Sequence, residues 1–222
     1  MKVCILIPAY NEARNIARLV QEIRKQGFHA LVVDDGSADA TARLAAEAGA
    51  EVLVNASNKG KGFSLQRGFE HIANQGVYAA LITMDGDGQH ALEDLSAFVA
   101  LFEKGGIDII CGNRMNNPQR MPLLRLMTNS FMSWLISLVC RQRVDDTQCG
   151  FRLVRTEVLR HIQLASVGFE IESEVLIKAA KKGYRIGSVD IRTIYAGEKS
   201  RINPFSDTWR FIVYIVRELF AR

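Results

Sequence analysis

The chain has 222 residues, of which 48% are hydrophobic and 23% are charged, a composition typical of soluble globular proteins. This length is enough for one α/β domain with a sizeable core. The net charge of +4 is too small to indicate nucleic-acid binding, but it is compatible with phosphate-bearing ligands or an anionic membrane surface. The four cysteines form no C-x-x-C pair, so we expect buried free thiols in a reducing cytoplasm.

Apolar runs of strand length alternate with helical patterns through the first half of the chain. The predicted strands cover residues 3–7, 30–33, 51–54, 79–84 and 107–111. The predicted helices cover residues 12–25, 39–48, 61–74 and 92–103. This alternation predicts an α/β fold with a mostly parallel sheet flanked by helices on both faces. Right-handed crossovers would place the loops that follow the strands at one edge of the sheet.

The pattern changes after residue 113. A polar segment with two prolines at 113–122 predicts a loop, and the strongly apolar segment 123–140 has helical spacing. Further on we predict a strand at 150–154, a helix at 170–182, a strand at 186–193 and a helix at 205–220. We find no internal repeat or linker, and therefore predict a single domain over residues 1–222.

The ends and the most apolar stretches give expectations about targeting. The N-terminus enters a predicted strand at once, so we expect no signal peptide. The stretches 131–140 and 211–216 are too short to span a bilayer.

Six residues with unusual chemistry, Asp-Gly-Asp-Gly-Gln-His at 85–90, follow the predicted strand 79–84. Ligands of open α/β sheets bind at the carboxyl ends of the strands. Asp85 and Asp87 would repel each other unless a cation or hydrogen-bond donors compensate them, and Mg²⁺ or Mn²⁺ prefers such oxygen ligands. The alternative is a loop whose aspartates cap the helix that begins near Leu92.

Three other loops fall at the same predicted edge. Residues 8–12 (Pro-Ala-Tyr-Asn-Glu) offer an aromatic face and a carboxylate. Asp34 and Asp35 exceed what a helix cap requires, and could accept hydrogen bonds from a ribose or a base. The glycines and lysines at 58–62 open a helix whose N-terminus suits an anion. Each loop alone could be a capped or solvated turn, but their convergence with 85–90 favours a functional site.

Together these motifs resemble those of family 2 glycosyltransferases with the GT-A fold. The likeness is greatest to the branch that transfers mannose or glucose to dolichol phosphate or polyprenyl phosphate. It rests on the loops already described and on three later segments, residues 112–114, 146–152 and 191–201. The resemblance covers nearly the whole chain, and the order and spacing of the motifs make it specific.

The resemblance implies a role for each matching residue. The nucleoside of a nucleotide sugar would be held by Pro8, Tyr10, Glu12, Val33 and Asp35. The ribose and diphosphate would lie between Asp85, Gly86 and Asp87, and the metal ion would be bound by Asp87 and Gln89. The donor phosphates would also be contacted by Lys61, Arg114, Lys199 and Arg201, and the acceptor phosphate by Arg152 and Arg201.

We therefore expect a metal-dependent, inverting enzyme that moves a sugar from GDP-mannose or a UDP-sugar to a polyprenyl or dolichyl phosphate. Residues 1–112 would bind the donor, and residues 113–222 would shape the acceptor site. A phosphate acceptor is largely ionised at pH 7 and needs no protein base. A saccharide hydroxyl would need one, and Asp146 is the candidate. The expected catalytic residues are Asp87, Arg114 and Asp146.

Three alternatives remain at this point. The first is a glycosyltransferase with a saccharide hydroxyl acceptor, as in cell-surface polysaccharide synthesis. The second is a nucleotidyltransferase, which would be expected to carry a basic glycine-rich loop where residues 8–12 stand. The third is a non-catalytic nucleotide-sugar-binding module, which Asp85, Asp87 and Gln89 argue against.

Segments 123–140 and 205–220 carry apolar stripes at helical spacing. Each could pack in the core, lie on a membrane surface or face another subunit of a homo-oligomer. Many members of the resembled branch carry C-terminal transmembrane helices, and none is predicted here. We therefore expect a cytoplasmic protein whose membrane contact is peripheral, on the cytoplasmic face.

Overall fold

The computed structural model of the chain describes residues 1–116, 118, 121–168, 170–192 and 215. The strands are β1 (Val3–Ala9), β2 (His29–Asp34), β3 (Glu51–Val54), β4 (Ala80–Thr83), β5 (Ile109–Asn113), β6 (Arg152–Arg155) and β7 (Ile186–Asp190). The helices are α1 (Ile16–Lys25), α2 (Thr41–Glu47), α3 (Lys61–Gln75), α4 (Leu95–Glu103), α5 (Leu123–Cys140), α6 (Thr156–His161) and α7 (Ile171–Lys181).

All seven strands form one sheet in the order β3-β2-β1-β4-β6-β5-β7. The pairs β1–β2, β1–β4, β2–β3 and β5–β7 are parallel, which confirms the predicted α/β fold with a mostly parallel sheet. Strand β6 runs antiparallel to both β4 and β5. Because of this reversal, the segment before β6 reaches the sheet from the same edge at which the parallel strands end.

The core lies on both faces of the sheet because side chains alternate along each strand. In β1, Cys4 and Leu6 point into one apolar cluster, together with Phe69 of α3. Ile5 of the same strand points into the opposite cluster, together with Phe98 of α4. The sheet is therefore covered by an apolar cluster on each face.

Helix α5 is apolar on two faces, because the face away from the core also carries large apolar side chains. Its inner face includes Met132 and Ile136, while Phe131 and Trp134 are 59% and 61% exposed. Only 22% of its 18 residues are buried. By length and composition, α5 is long and apolar enough to cross a membrane, and it is the one such helix among the described residues. The helix covers the whole apolar segment 123–140 that has helical spacing in the sequence, and the stretch 131–140, which we predict to be too short to span a bilayer, is only its second half.

The predicted helix 205–220 lies outside the described residues except for Ile215. Ile215 is helical and buried. It belongs to the same apolar cluster as Met132 and Ile136 of α5.

Candidate active site

The loops that follow β1 and β2 are joined to each other by hydrogen bonds. The backbone N–H of Asn11 donates to Ser37 Oγ at 2.9 Å, and that of Ala38 donates to Asn11 Oδ1 at 2.9 Å. The backbone N–H of Glu12 donates to Thr41 Oγ1 at 2.8 Å. Asn11 adopts a left-handed backbone conformation (φ 56°), which asparagine tolerates better than most residues. This arrangement brings the loop with the predicted donor residues Pro8, Tyr10 and Glu12 beside the end of β2, which carries Val33 and Asp35.

Asp35 orders the turn in front of α3. Its carboxylate accepts hydrogen bonds from Asn55 Nδ2 at 2.7 Å and from the backbone N–H groups of Lys59 at 3.0 Å and Gly60 at 2.7 Å. Gly60 has a φ of 95°, a conformation that residues with a Cβ rarely adopt. The predicted nucleoside ligand Asp35 is thus buried and anchors the 58–60 turn at the same time.

Asp85 lies two residues after the end of β4 and is held by a partly buried cation. Lys61 Nζ at the start of α3 lies 2.7 Å from Asp85 Oδ1 and 2.8 Å from Glu172 Oε1 of α7. Burial opposes ionisation of Asp85, but Lys61 and the nearby His90 hold the pKa of its carboxyl well below the usual range. Burial likewise opposes the charge on Lys61, but Asp85 and Glu172 together raise its pKa. Both groups are therefore charged at neutral pH.

The sequence leaves the role of His90 undecided; in the structure its side chain lies between Asp85 and Phe151. It is buried, and its ring stacks at a tilt on Phe151 with 4.8 Å between centroids. Its Nε2 lies 3.4 Å from Asp85 Oδ2 without the geometry of a hydrogen bond. The helix that follows opens as a 3₁₀ turn, Leu92–Asp94, before α4. Neither this turn nor α4 has a side-chain hydrogen bond from its capping residue.

The predicted metal ligands Asp87 and Gln89 share one turn. Asp87 Oδ1 accepts a hydrogen bond from the backbone N–H of Gln89 at 2.9 Å, and both side chains are partly exposed. Within the described part of the chain, no group of three or more His, Cys, Asp or Glu side chains is arranged to hold a metal ion. A cation bound at this turn would therefore need further ligands from the phosphate groups of a bound substrate, as is usual for Mg²⁺.

Arg114, just after β5, forms a buried ion pair with Asp146. Arg114 Nε lies 2.7 Å from Asp146 Oδ2, and its Nη2 donates to Oδ1 at 3.0 Å. Asp146 is fully buried and also accepts the backbone N–H groups of Arg114 at 3.3 Å and Gln148 at 3.0 Å. Such a bidentate contact is among the strongest hydrogen-bonded arrangements in proteins. The structure thus joins two predicted catalytic residues that are far apart in the sequence.

We predict Arg152 at the acceptor phosphate, but its side chain is hydrogen-bonded to backbone carbonyl groups. Its three nitrogens donate to the carbonyl oxygens of Cys149 at 2.7 Å, Glu172 at 2.5 Å and Thr147 at 2.6 Å, and its side chain is 4% exposed. A guanidinium used in this way braces the segment before β6. We therefore infer that Arg152 positions this segment and does not contact the acceptor phosphate.

Two predicted phosphate contacts, Lys199 and Arg201, lie outside the described residues. Conversely, the structure adds Glu172, which the sequence analysis did not select. A signal was available, because Glu170, Glu172 and Glu174 place three carboxylates in five residues where a helix begins. Helix N-termini favour acidic residues, which made this run look like ordinary capping.

Fold and site together define an α/β protein whose candidate site lies at the carboxyl edge of a mostly parallel sheet, where such sheets bind their ligands. A family model described as Glycosyl transferase family 2 matches residues 4–163. The chain therefore belongs to glycosyltransferase family 2. The predicted family and enzyme class are confirmed.

Two relatives support this assignment, and one solved structure shares the fold. The UDP-N-acetylglucosamine–dolichyl-phosphate N-acetylglucosaminyltransferase of Methanococcus voltae is 30% identical over 214 residues, 86% of this chain and 85% of that protein. The polyprenol monophosphomannose synthase of Mycolicibacterium smegmatis is 31% identical over 205 residues, 84% of this chain and 75% of that protein. The solved structure is that of glucosyl-3-phosphoglycerate synthase from Mycobacterium tuberculosis, crystallised in complex with Mn²⁺, UDP and glucosyl-3-phosphoglycerate. It matches with a TM-score of 0.69 at 17% identity, and the match covers 98% of this chain and 78% of that one.

Proposed function

We propose that this enzyme transfers a sugar from a nucleotide sugar to a polyprenyl phosphate, with inversion at the sugar carbon. The observation that carries the choice of acceptor is the Arg114–Asp146 pair. Asp146, our candidate base for a hydroxyl acceptor, has both oxygens engaged by the Arg114 guanidinium and no exposed surface. A phosphate acceptor, with a second pKa of about 6, is ionised at neutral pH and needs no base. The names of the two relatives, both lipid-phosphate enzymes, support the same acceptor class.

The donor would lie across the ends of β1, β2 and β4. We propose that Tyr10, Glu12 and Asp35 contact the nucleoside and that Asp85 accepts a hydrogen bond from the ribose. Lys61 is already shared by two carboxylates, so its influence on the donor would pass through Asp85. Arg114 would contact the diphosphate, with Asp146 holding its guanidinium in place.

The turn with Asp87 and Gln89 would hold a divalent cation, Mg²⁺ or Mn²⁺. A partly exposed carboxylate and a neighbouring amide on one turn fit a cation that takes its remaining ligands from phosphate oxygens. The solved neighbour with Mn²⁺ and UDP supports this type of cofactor. When bound, the cation would neutralise charge on the leaving nucleoside diphosphate.

We also propose that the outer face of α5 rests on the cytoplasmic face of a membrane. Large apolar side chains, each at least 59% exposed, recur along this face at helical spacing: Leu124, Met127, Phe131, Trp134 and Leu138. No acidic residue occurs between positions 115 and 144, whereas four arginines do. An apolar stripe within a basic stretch suits an anionic lipid surface. A groove of about 620 Å³, lined in part by Trp134, Arg141 and Asp145, opens beside this helix.

The membrane contact is tested by sedimentation with phosphatidylglycerol vesicles. Trp134→Gln should lower the bound fraction severalfold without changing the melting temperature, because Trp134 is exposed. Val77→Gln is the matched control, since Val77 is 54% exposed but lies between α3 and β4 and is not part of α5. Equal binding by both variants would contradict this part of the proposal.

The acceptor is tested with the Asp146→Asn variant, assayed at a temperature at which it stays folded. With polyprenyl phosphate we expect the variant to keep turnover within about tenfold of the wild type, because an ionised acceptor needs no base. With a saccharide acceptor, loss of a general base would cost about 10²–10⁴-fold. Turnover by the wild type only on saccharides, abolished in the variant, would overturn the proposal in favour of the hydroxyl acceptor.

A further inference from the structure

Four charged side chains from four different elements meet beside the turn at 85–90. Lys61 Nζ lies between Asp85 Oδ1 at 2.7 Å and Glu172 Oε1 at 2.8 Å. The second oxygen of Glu172 lies 3.8 Å from Arg152 Nη2. The cluster therefore pairs two positive with two negative groups, and it connects α3 and β4 with β6 and α7.

The backbone makes room for this cluster at Gly150. A Cβ at position 150 would lie 3.0 Å from Lys61 Nζ, 3.2 Å from Glu172 Oε1 and 3.4 Å from Asp85 Oδ2. The backbone of Gly150 does not have the positive φ that would by itself favour glycine. The missing side chain is thus explained by the approach of three charged groups rather than by the conformation of the chain.

The cluster is also braced from the side opposite Lys61. Arg152 donates to the carbonyl oxygens of Thr147 and Cys149, on either side of Gln148, and to that of Glu172. The same guanidinium therefore fixes the segment before Gly150 and the first turn of α7. The Arg152 and Glu172 side chains are 4% and 16% exposed, so solvent screens their interaction little, whereas Lys61 and Asp85 are 21% and 34% exposed and their contact is partly screened.

We propose that Glu172 is a positioning residue for the donor, acting on Asp85 through Lys61. Because Glu172 also pairs with the ammonium group of Lys61, the ion pair between Lys61 and Asp85 is weaker than it would be alone. The Asp85 carboxylate therefore stays available to accept a hydrogen bond from the nucleotide sugar. Gly150 provides the space in which this sharing occurs. The proposal rests on the donor site proposed above and adds to it the residues that set the strength of Asp85 as an acceptor.

Glu172→Gln tests this role because it removes the charge and keeps the shape. We expect the KM for the nucleotide sugar, and the Kd for GDP or UDP measured with MnCl₂, to rise by about tenfold, or about 1.4 kcal/mol. The turnover number should change less than twofold, because Glu172 would act on donor binding through Lys61 and Asp85. The matched control is Glu157→Gln on the exposed face of α6, which should change neither constant.

A double-mutant cycle with Lys61→Met separates positioning from a general loss of structure. Without Lys61, Asp85 and Glu172 would repel each other, so adding Glu172→Gln to Lys61→Met should leave the Kd unchanged or improve it. Additive losses in the double variant would refute action through Lys61. If Glu172→Gln does not fold, Gly150→Ala serves instead, since its Cβ would displace the same groups and should raise the nucleotide Kd.

The outcomes distinguish this inference from the proposed function. If the wild type binds neither GDP nor UDP with MnCl₂, the donor site itself is wrong. If the wild type binds one of them and Glu172→Gln binds it equally well, the donor site stands and the role of Glu172 is refuted.

Discussion

Replacing Asp146 with asparagine would leave the guanidinium of Arg114 buried without its counter-charge. In the structure the two side chains share two contacts of 2.7 and 3.0 Å, and the Arg114 and Asp146 side chains are 10% and 0% exposed. Removing one partner of a buried pair costs about 3–5 kcal/mol. For a chain of this size each kcal/mol lowers the melting temperature by about 2–4 °C. We therefore expect Asp146→Asn to melt roughly 6–20 °C below the wild type.

Thermal unfolding followed by circular dichroism measures this loss, and a second ion pair provides the control. Asp108 and Arg155 lie 2.9 Å apart, but their side chains are 23% and 28% exposed. Water can therefore replace much of that interaction, and Asp108→Asn should cost only about 1 kcal/mol. Adding Arg114→Met to Asp146→Asn removes the unpaired charge and should recover most of the loss. The reasoning fails if Asp146→Asn melts no lower than Asp108→Asn.

Three further predictions concern other parts of the molecule. Burial raises the pKa of the Cys4, Cys140 and Cys149 thiols to about 12 and that of Cys111 to about 11, so Ellman's reagent at pH 8 should modify these cysteines only after unfolding; labelling of the native protein would contradict their burial. Burial opposes ionisation of Glu174, but Lys178 and two backbone N–H groups hold its pKa below the ordinary value. The ionised Glu174 therefore stabilises the fold above about pH 4.3, and this stabilisation is lost as the pH falls. Glu174→Gln should reduce the fall in unfolding free energy at acid pH, measured by urea unfolding, and an unchanged fall would refute this. Asp35→Asn replaces one of the two carboxylate oxygens that together accept three N–H groups, and should cost about 1–3 kcal/mol of stability and weaken nucleotide binding in a thermal-shift assay. Unaltered shifts would exclude Asp35 from the donor site.

The first half of the fold could be predicted well because its signals are local. Strand β1 and helix α3 appear in the sequence as an apolar run and a helical stripe, and their predicted ranges overlap the observed Val3–Ala9 and Lys61–Gln75. The direction of β6 could not be predicted in this way, because it depends on which neighbours the strand finds in the sheet. Helix α6 has only six residues, Thr156–His161, which is too short for a periodic pattern.

The candidate site was predictable where chemistry is concentrated in one short segment, as at residues 85–90. It was not predictable where partners come from distant segments. Arg114 and Asp146 were both selected, but nothing in the sequence indicated that they pair across 32 positions. Glu172 escaped notice because its meaning depends on Lys61, which lies in the other half of the chain.

The most direct test of the proposed function is to incubate the protein with MnCl₂, a nucleotide sugar and polyprenyl phosphate. The lipid fraction is then analysed by mass spectrometry. GDP-mannose and UDP-sugars should be tried in turn, with EDTA as the metal-free control. We predict one sugar added to the lipid phosphate for each nucleoside diphosphate released, and no product with EDTA. Release of nucleoside diphosphate without a glycosylated lipid, or transfer only to a saccharide, would contradict the proposed acceptor.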